Sequence, residues 1–329
     1  DRDALCGAEF VIGHGATPYR NGRVLHSVFA AALLIKSSSA DLIHIHLASN
    51  GSFIRKFLVF TLSKTRRKPI LLHLHGAGFM EYYDNASSLI KKLIQLTFNH
   101  SQRIVTVSSE FKSSVLSRFP KAKNVCVIHN SSVEFENLED QAAHSDDDYI
   151  LFSGRLSIDK GLNELIQALA ELRQLGRSYK LRIAGNGDID YWKKIAQNYL
   201  VDDLIKFDGW VTGDEKIRLY INAKIFCLPS HCESFGISAL EAMYAGLPSI
   251  CTKLGGFLDL VDDGITGFLV ESRSPSQIAQ KIDYLMTHPV AIKDMGDAAR
   301  AKAGMFNSFL SNKLLIESYQ HIIRSEKRV

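Results

Sequence analysis

The sequence is short of the marks of several large protein classes. Its five cysteines (Cys6, Cys126, Cys227, Cys232 and Cys251) are odd in number and contain no CxxC pair. That argues against a disulfide framework and predicts a reducing compartment. No apolar run reaches the roughly 18 residues of a membrane-spanning helix. No repeat of about 20–50 residues and no low-complexity tract is visible, so solenoids and biased chains are set aside. Charge of one sign is also lacking: 39 basic residues meet 35 acidic ones, leaving +4 and a pI near 8.7. That is well short of a nucleic-acid protein, so no nucleic-acid partner is expected. A mildly basic balance suits anionic small substrates or a lipid surface better. The opening, "DRDALCGAEF", is neither a signal peptide nor an initiator methionine. The chain reads as soluble and cytoplasmic, and as a fragment whose true start is missing.

What is present is ordinary globular material, 46% hydrophobic and 22% charged over 329 residues. At roughly 150 residues per domain, that predicts about two domains. Short apolar runs alternate with amphipathic segments. "DLIHIHL" (41–47), "PILLHLH" (69–75), "RIVTVSS" (103–109) and "NVCVIHN" (124–130) are strand-like. Residues 87–100 and 110–119 are helical in pattern. This alternation predicts βαβ units and a parallel, doubly wound sheet. Residues 131–148 are polar, acidic and without period, and read as a linker. The alternation then restarts with "YILFSG" (149–154), "YKLRIAG" (179–185), "LIKFDGW" (204–210), "KIFCLPS" (224–230) and "LPSIC" (247–251). A helix over 160–176 places Leu162, Leu165, Ile166, Leu169 and Leu172 on one face. Before the helix at 25–36, "GHG" reads more as a plain loop than as a phosphate turn, and the first strand–helix pair is expected to be absent.

The chemistry-bearing stretch is "HCESFGISALEAMYAGLP", residues 231–248. A buried strand ends at Pro229 and a helix runs to Gly246. Glu233 therefore lies in a loop at the carboxyl edge of a sheet, where open α/β folds bind ligands. Phe235, Gly236 and Ile237 are expected to form the first helical turn, whose backbone N–H groups can hold an anion. Glu241 lies about one and a half turns further in, too far for an acid/base dyad on one atom. The pair is spaced for an elongated ligand with hydroxyls at both ends and phosphate between, as in a nucleotide sugar. A helix cap at Glu233 and a surface salt bridge at Glu241 are the competing reading. "YILFSGRLSIDKG" is a second strand–loop unit, with Arg155 and Lys160 flanking its turn. Two cations there can neutralise a pyrophosphate, whereas ordinary surface charge would oppose the following helix's dipole.

The second half resembles the retaining GT-B glycosyltransferases of family 4. "SGRLSIDKG", "AGNGD" and "PSHCESFGISALEAMYAGLPSICTKLGGFLDLVDDGITGFLV" match that donor-domain signature in order and spacing. The resemblance spans roughly 41–325 and is most specific over 149–270. It implies a GT-B fold, two Rossmann-like doubly wound domains facing a central cleft. The expected division is 1–130 (acceptor domain), 131–148 (linker), 149–306 (donor domain) and 307–329 (a helix crossing back to the first domain). It also implies that Arg155 and Lys160 stabilise the leaving diphosphate and that Glu241 binds ribose hydroxyls. By the same resemblance Glu233 contacts the transferred sugar, Phe235, Gly236 and Ile237 line the sugar–phosphate pocket, and Gly154 is a further donor-binding residue. Asn186, Gly187 and the 209–211 turn lie near the base. Asp259 stands where this family commonly has Glu, which leaves that role open.

The first half is similar to the acceptor domain of bacterial surface-polysaccharide members. His75 matches the histidine at the reaction centre, where an imidazole can hydrogen-bond the transferred sugar; a polar residue satisfied at a strand edge is the alternative. His44, His46, His73 and His75 have the spacing of shared strand faces. No cysteine or carboxylate accompanies them at ligand spacing, so no metal is expected there. "DDD" (146–148) and "DID" (188–190) imitate a metal motif, but the first lies in the linker and the second suits a helix N-cap. No cofactor is expected. The basic cluster Lys64, Arg66, Arg67 and Lys68 reads either as a solvated face or as an aid to membrane contact.

The expected activity is a retaining, metal-independent hexosyltransferase using a UDP- or GDP-linked sugar. The acceptor is a glycan or a polyprenyl-diphosphate-linked chain, in lipopolysaccharide, capsule or exopolysaccharide synthesis at the inner face of the cell membrane. Sugar-nucleotide epimerisation or hydrolysis, and a non-catalytic nucleotide-sugar-binding scaffold, are the alternatives.

Overall fold

A computed structural model of the protein describes residues 10–13, 40–49, 51–132 and 148–326. The "GHG" loop, the helix expected over 25–36 and nearly all of the 131–148 linker lie outside those residues. The chain divides into two compact units: Asp1–His129 with Phe309–Val329, and Asn130–Ser308.

The first unit contains β1 (Phe10–Gly13), β2 (Leu42–Leu47), α1 (Gly51–Thr65), β3 (Ile70–Leu74), α2 (Phe79–Asn85), α3 (Ser88–His100), β4 (Arg103–Thr106), α4 (Ser109–Arg118) and β5 (Val125–Val127). The strands form one parallel sheet in the order β1-β2-β3-β4-β5. Runs such as "ILLHL" in β3 are buried throughout, as sheets covered on both faces require. The Ser87 hydroxyl accepts the Ile90 N–H and the Ser108 hydroxyl accepts the Phe111 N–H, which fixes where α3 and α4 begin. Phe53, Phe79, Phe98 and Phe119 are fully buried. They pack in turn, Phe53 edge-on to Phe79, Phe79 stacked on Phe98 and Phe98 tilted against Phe119.

The second unit contains β6 (Tyr149–Ser153), α5 (Leu162–Gln174), β7 (Lys180–Ala184), α6 (Ile189–Asn198), β8 (Ile205–Gly209), α7 (Gly213–Ile221), β9 (Ile225–Leu228), α8 (Ile237–Tyr244), β10 (Ser249–Thr252), α9 (Phe257–Leu260), β11 (Gly267–Val270), α10 (Pro275–Thr287) and α11 (Pro289–Ala303). Its parallel strands run β11-β10-β9-β6-β7-β8. The chain winds outward from β6 in one direction and then from β9 in the other, which is the doubly wound order with its switch point between β6 and β9. Leu162, Leu165, Ile166, Leu169 and Leu172 of α5 are all buried. The Asp188 carboxylate accepts the Tyr191 N–H at 3.0 Å and caps α6, so "DID" is used for a helix start. Asp148 pairs with Lys224 at 3.2 Å.

The last helix, α12 (Ser308–Glu326), belongs from Phe309 onward to the first unit. Its Tyr319 and Ile322 share a core with Leu42, Leu71, Val105 and Ile128. Among the described residues, no helix is long and apolar enough to cross a membrane.

Candidate active site

The loops after β6 and β9 leave the sheet side by side at the switch point. What holds them together is backbone that only glycine can supply. Gly161 ends a single 3-10 turn (Ile158–Lys160) in the left-handed region, at φ 70°. A Cβ there would lie 1.9 Å from the Pro229 carbonyl oxygen, so the turn can seat against the end of β9 only with glycine. The His231 N–H donates to the Asp159 carbonyl at 2.8 Å across the same seam. Lys160 is thereby carried to Glu233: Nζ donates to Oε2 at 2.7 Å, with both side chains largely buried.

The structure starts α8 at Ile237, one to two residues later than the pattern predicts. Phe235 and Gly236 precede it. Gly236 is left-handed at φ 100°, and a Cβ would meet the buried Phe257 ring at 2.6 Å. Close packing from beneath, as well as open backbone above, thus requires glycine. Gly236 offers no side-chain cap to α8, and N–H groups at a helix start of this kind can take an anion.

Glu241 is buried and makes three contacts. Oε1 accepts from Lys216 Nζ at 2.6 Å and from the Ser132 hydroxyl at 3.3 Å, and Oε2 accepts from the Tyr220 hydroxyl at 3.0 Å. It is neither a surface ion pair nor a remote group. Burial, then the Glu241 carboxylate, pushes the Tyr220 phenol well above its ordinary range, so it stays a donor.

A hollow of about 550 Å³ joins these groups. Of the predicted residues it is lined by Gly154, Arg155, Lys160, Asn186, Glu233, Phe235, Gly236, Ile237 and Glu241, with Trp210 and Val211 of the 209–211 turn. The Trp210 indole is largely exposed, so a face remains for stacking. Arg155 reaches outward: its side chain is 68% exposed and its Nη2 lies 3.8 Å from Asp159 Oδ2. Gly187 is not among the lining residues; it makes a parallel bridge to Leu156 and so pins the loop after β6. Lys216 was not singled out by the sequence pattern, nor were Tyr220 and Ser132. Arg155, Lys160 and Lys216 stand against Glu233 and Glu241, so the hollow holds one more cation than anions.

His75 belongs to the first unit. Its Nε2 lies 2.7 Å from His46 Nδ1, and its ring lies tilted against that of His73 with centroids 4.1 Å apart. Asp259 sits half-buried in α9. Among the described residues, the group close enough to share an ion is His44, His46 and His73.

The family model described as glycosyl transferases group 1 matches residues 133–302, and that described as glycosyltransferase family 4 matches residues 2–131. The chain belongs to the group 1 glycosyl transferase family. It is 31% identical over 265 residues to the uncharacterized glycosyltransferase MJ1607 of Methanocaldococcus jannaschii, covering 75% of this chain and 66% of that protein. The chain thus spans just under two thirds of MJ1607. It is also 24% identical over 309 residues to an uncharacterized 41.2 kDa protein in the cps region of Klebsiella pneumoniae, covering 88% and 84%. The fold matches that of Anabaena Alr3699/HepE solved with UDP, at a TM-score of 0.73 and 21% identity, covering 91% of this chain and 82% of that one. Both parallel-sheet α/β units have the Rossmann-like form of GT-B glycosyltransferases.

Proposed function

We propose that the protein transfers a sugar from a nucleoside-diphosphate sugar to a glycan or lipid-linked acceptor, with retention at the anomeric carbon and without a metal. The observation that carries the proposal is the single hollow at the second sheet's switch point, which joins the Lys160–Glu233 pair at 2.7 Å, the buried Glu241 and the start of α8. Lys160, Arg155 and the α8 N–H groups hold the diphosphate and stabilise charge on it as it leaves. Glu233, released from Lys160 when the diphosphate takes over that ammonium, turns to the sugar hydroxyls. Glu241 accepts a ribose hydroxyl, and the base lies towards Asn186 and Trp210. The departing phosphate takes the acceptor's proton, so no protein base is required. The role that the resemblance gives His75, a hydrogen bond to the transferred sugar, is part of the same proposal. UDP in the HepE structure supports a uridine donor.

The cps-region relative favours surface polysaccharide as the product. Ile54, Leu58 and Leu62 recur every four residues along α1 and are 42%, 47% and 37% exposed. Lys64, Arg66, Arg67 and Lys68 follow directly. An apolar stripe ending in cations matches an anionic bilayer, with attraction of about 1 kcal/mol per basic residue. The reading therefore places the protein in the cytoplasm, against the inner face of the membrane.

The test is a turnover assay with UDP- and GDP-sugars and lipid-linked acceptors, with the product anomer read by NMR. Transfer with retention is expected. Donor altered without acceptor would instead mean epimerisation or hydrolysis, and binding without any turnover would mean a scaffold.

A further inference from the structure

The donor hollow leaves a second cluster of chemistry-bearing side chains unused. His44 and His46 share one face of β2, and the parallel register sets His73 of β3 directly beside His46. The three rings stack, with centroids 4.2 Å apart for His44 and His46, 5.3 Å for His46 and His73, and 5.4 Å for His44 and His73. One ring nitrogen from each lies within 4.8 Å of the others. His73 is 7% exposed, and neither of its ring nitrogens has a hydrogen-bond partner. A neutral imidazole always carries one N–H and one lone pair, and burying both unmet is unfavourable. Simple packing would be better served by leucine or phenylalanine.

We propose that His44, His46 and His73 form a binding site for one divalent transition-metal ion of the zinc class. Three imidazoles with no carboxylate or thiolate select zinc, copper, nickel or cobalt over magnesium or calcium. A Zn–N bond is about 2.0–2.1 Å, so nitrogens around a tetrahedral ion lie about 3.3 Å apart. From 4.8 Å they must close by about 1.5 Å, and the stacked rings must fan apart so that their lone pairs converge on the ion. Outer partners already orient two of the ligands. His44 Nδ1 lies 2.7 Å from the Tyr319 hydroxyl and His46 Nδ1 lies 2.7 Å from His75 Nε2, so each presents Nε2 to the ion. The fourth position is open to water. An ion on His46 would also strengthen the His46 Nδ1–H bond to His75. The site rests on the first unit's geometry and not on the sugar-transfer reading.

The experiment uses the full chain without an affinity tag, stripped by chelator dialysis and titrated with cobalt, then zinc, by calorimetry and visible absorption. One ion per chain is expected, with micromolar or tighter affinity, an intense four-coordinate cobalt band and a higher melting temperature in zinc. His73→Phe, which preserves volume, should weaken binding by at least about tenfold. His288→Ala, at an exposed site in the second unit, should leave it unchanged. No saturable binding to the unmodified chain overturns the proposal, whether or not the variants fold. Affinity in His73→Phe and His44→Gln equal to that of the unmodified chain also overturns it, because the ion is then bound elsewhere.

Discussion

Replacing Glu241 by glutamine keeps the shape of the side chain and removes its charge. A carboxylate offers about four lone-pair sites. Lys216, Tyr220 and Ser132 occupy three of them, which leaves room for one ribose hydroxyl. The amide turns a donor towards either Lys216 or Tyr220 and strips Lys216 of its counter-charge. Breaking a fully buried pair costs about 3–5 kcal/mol, and the Lys216 side chain is 30% exposed, so we expect a loss of about 2 kcal/mol. For a domain of this size that lowers the melting temperature by about 4–8 °C. Donor binding should suffer separately. A hydrogen bond to a charged acceptor contributes about 1.5–3 kcal/mol, so the Kd for a nucleotide sugar should rise about tenfold to a hundredfold. Thermal melting and calorimetry on the same preparation separate the two effects. A lowered melting temperature with donor affinity within about twofold of the parent would refute the ribose assignment and leave Glu241 a structural residue.

Lys160→Ala should lower kcat more than it weakens donor binding, because charge on the diphosphate grows towards the transition state; steady-state kinetics beside calorimetry decide it, and equal losses would mean uniform binding. His73 should make stability pH-dependent. Its folded pKa lies far below the ordinary 6.5, so below about pH 6.5 the unfolded chain takes up a proton that the folded one refuses. Stability should then fall by about 1.4 kcal/mol per pH unit on acidification, and metal-free His73→Phe should show a slope shallower by one proton in denaturant titrations. Leu58→Glu should reduce sedimentation with anionic vesicles while leaving donor affinity unchanged; equal sedimentation would remove α1 from the membrane proposal.

The strands were legible because β-branched and leucine runs end at polar residues, and α5 because its leucines keep a helical period. Helix α1 was not: Phe53, Phe57 and Phe60 face one way while Ile54, Leu58 and Leu62 face another, so no clean amphipathic stripe stands out. The start of α8 was misplaced because Gly236 reads as helix in pattern but takes a left-handed backbone. Arg155, Lys160, Glu233 and Glu241 could be found from their strand–loop contexts. The direct Lys160–Glu233 contact spans 73 residues, and the partnership of Glu241 with Lys216 and Tyr220 spans 25 and 21. Separations of that kind leave no local spacing to read. The same holds for the histidines, whose i, i+2 pairs are visible in sequence while the register joining β2 to β3 is not.

The most direct measurement is calorimetric titration of the full chain with UDP- and GDP-sugars, in buffer containing chelator. One nucleotide sugar should bind at one site per chain, and Lys160→Ala and Glu241→Gln should both weaken it. Absence of binding by every donor, or binding indifferent to both substitutions, would show that the hollow between the β6 and β9 loops is not where an activated sugar is held.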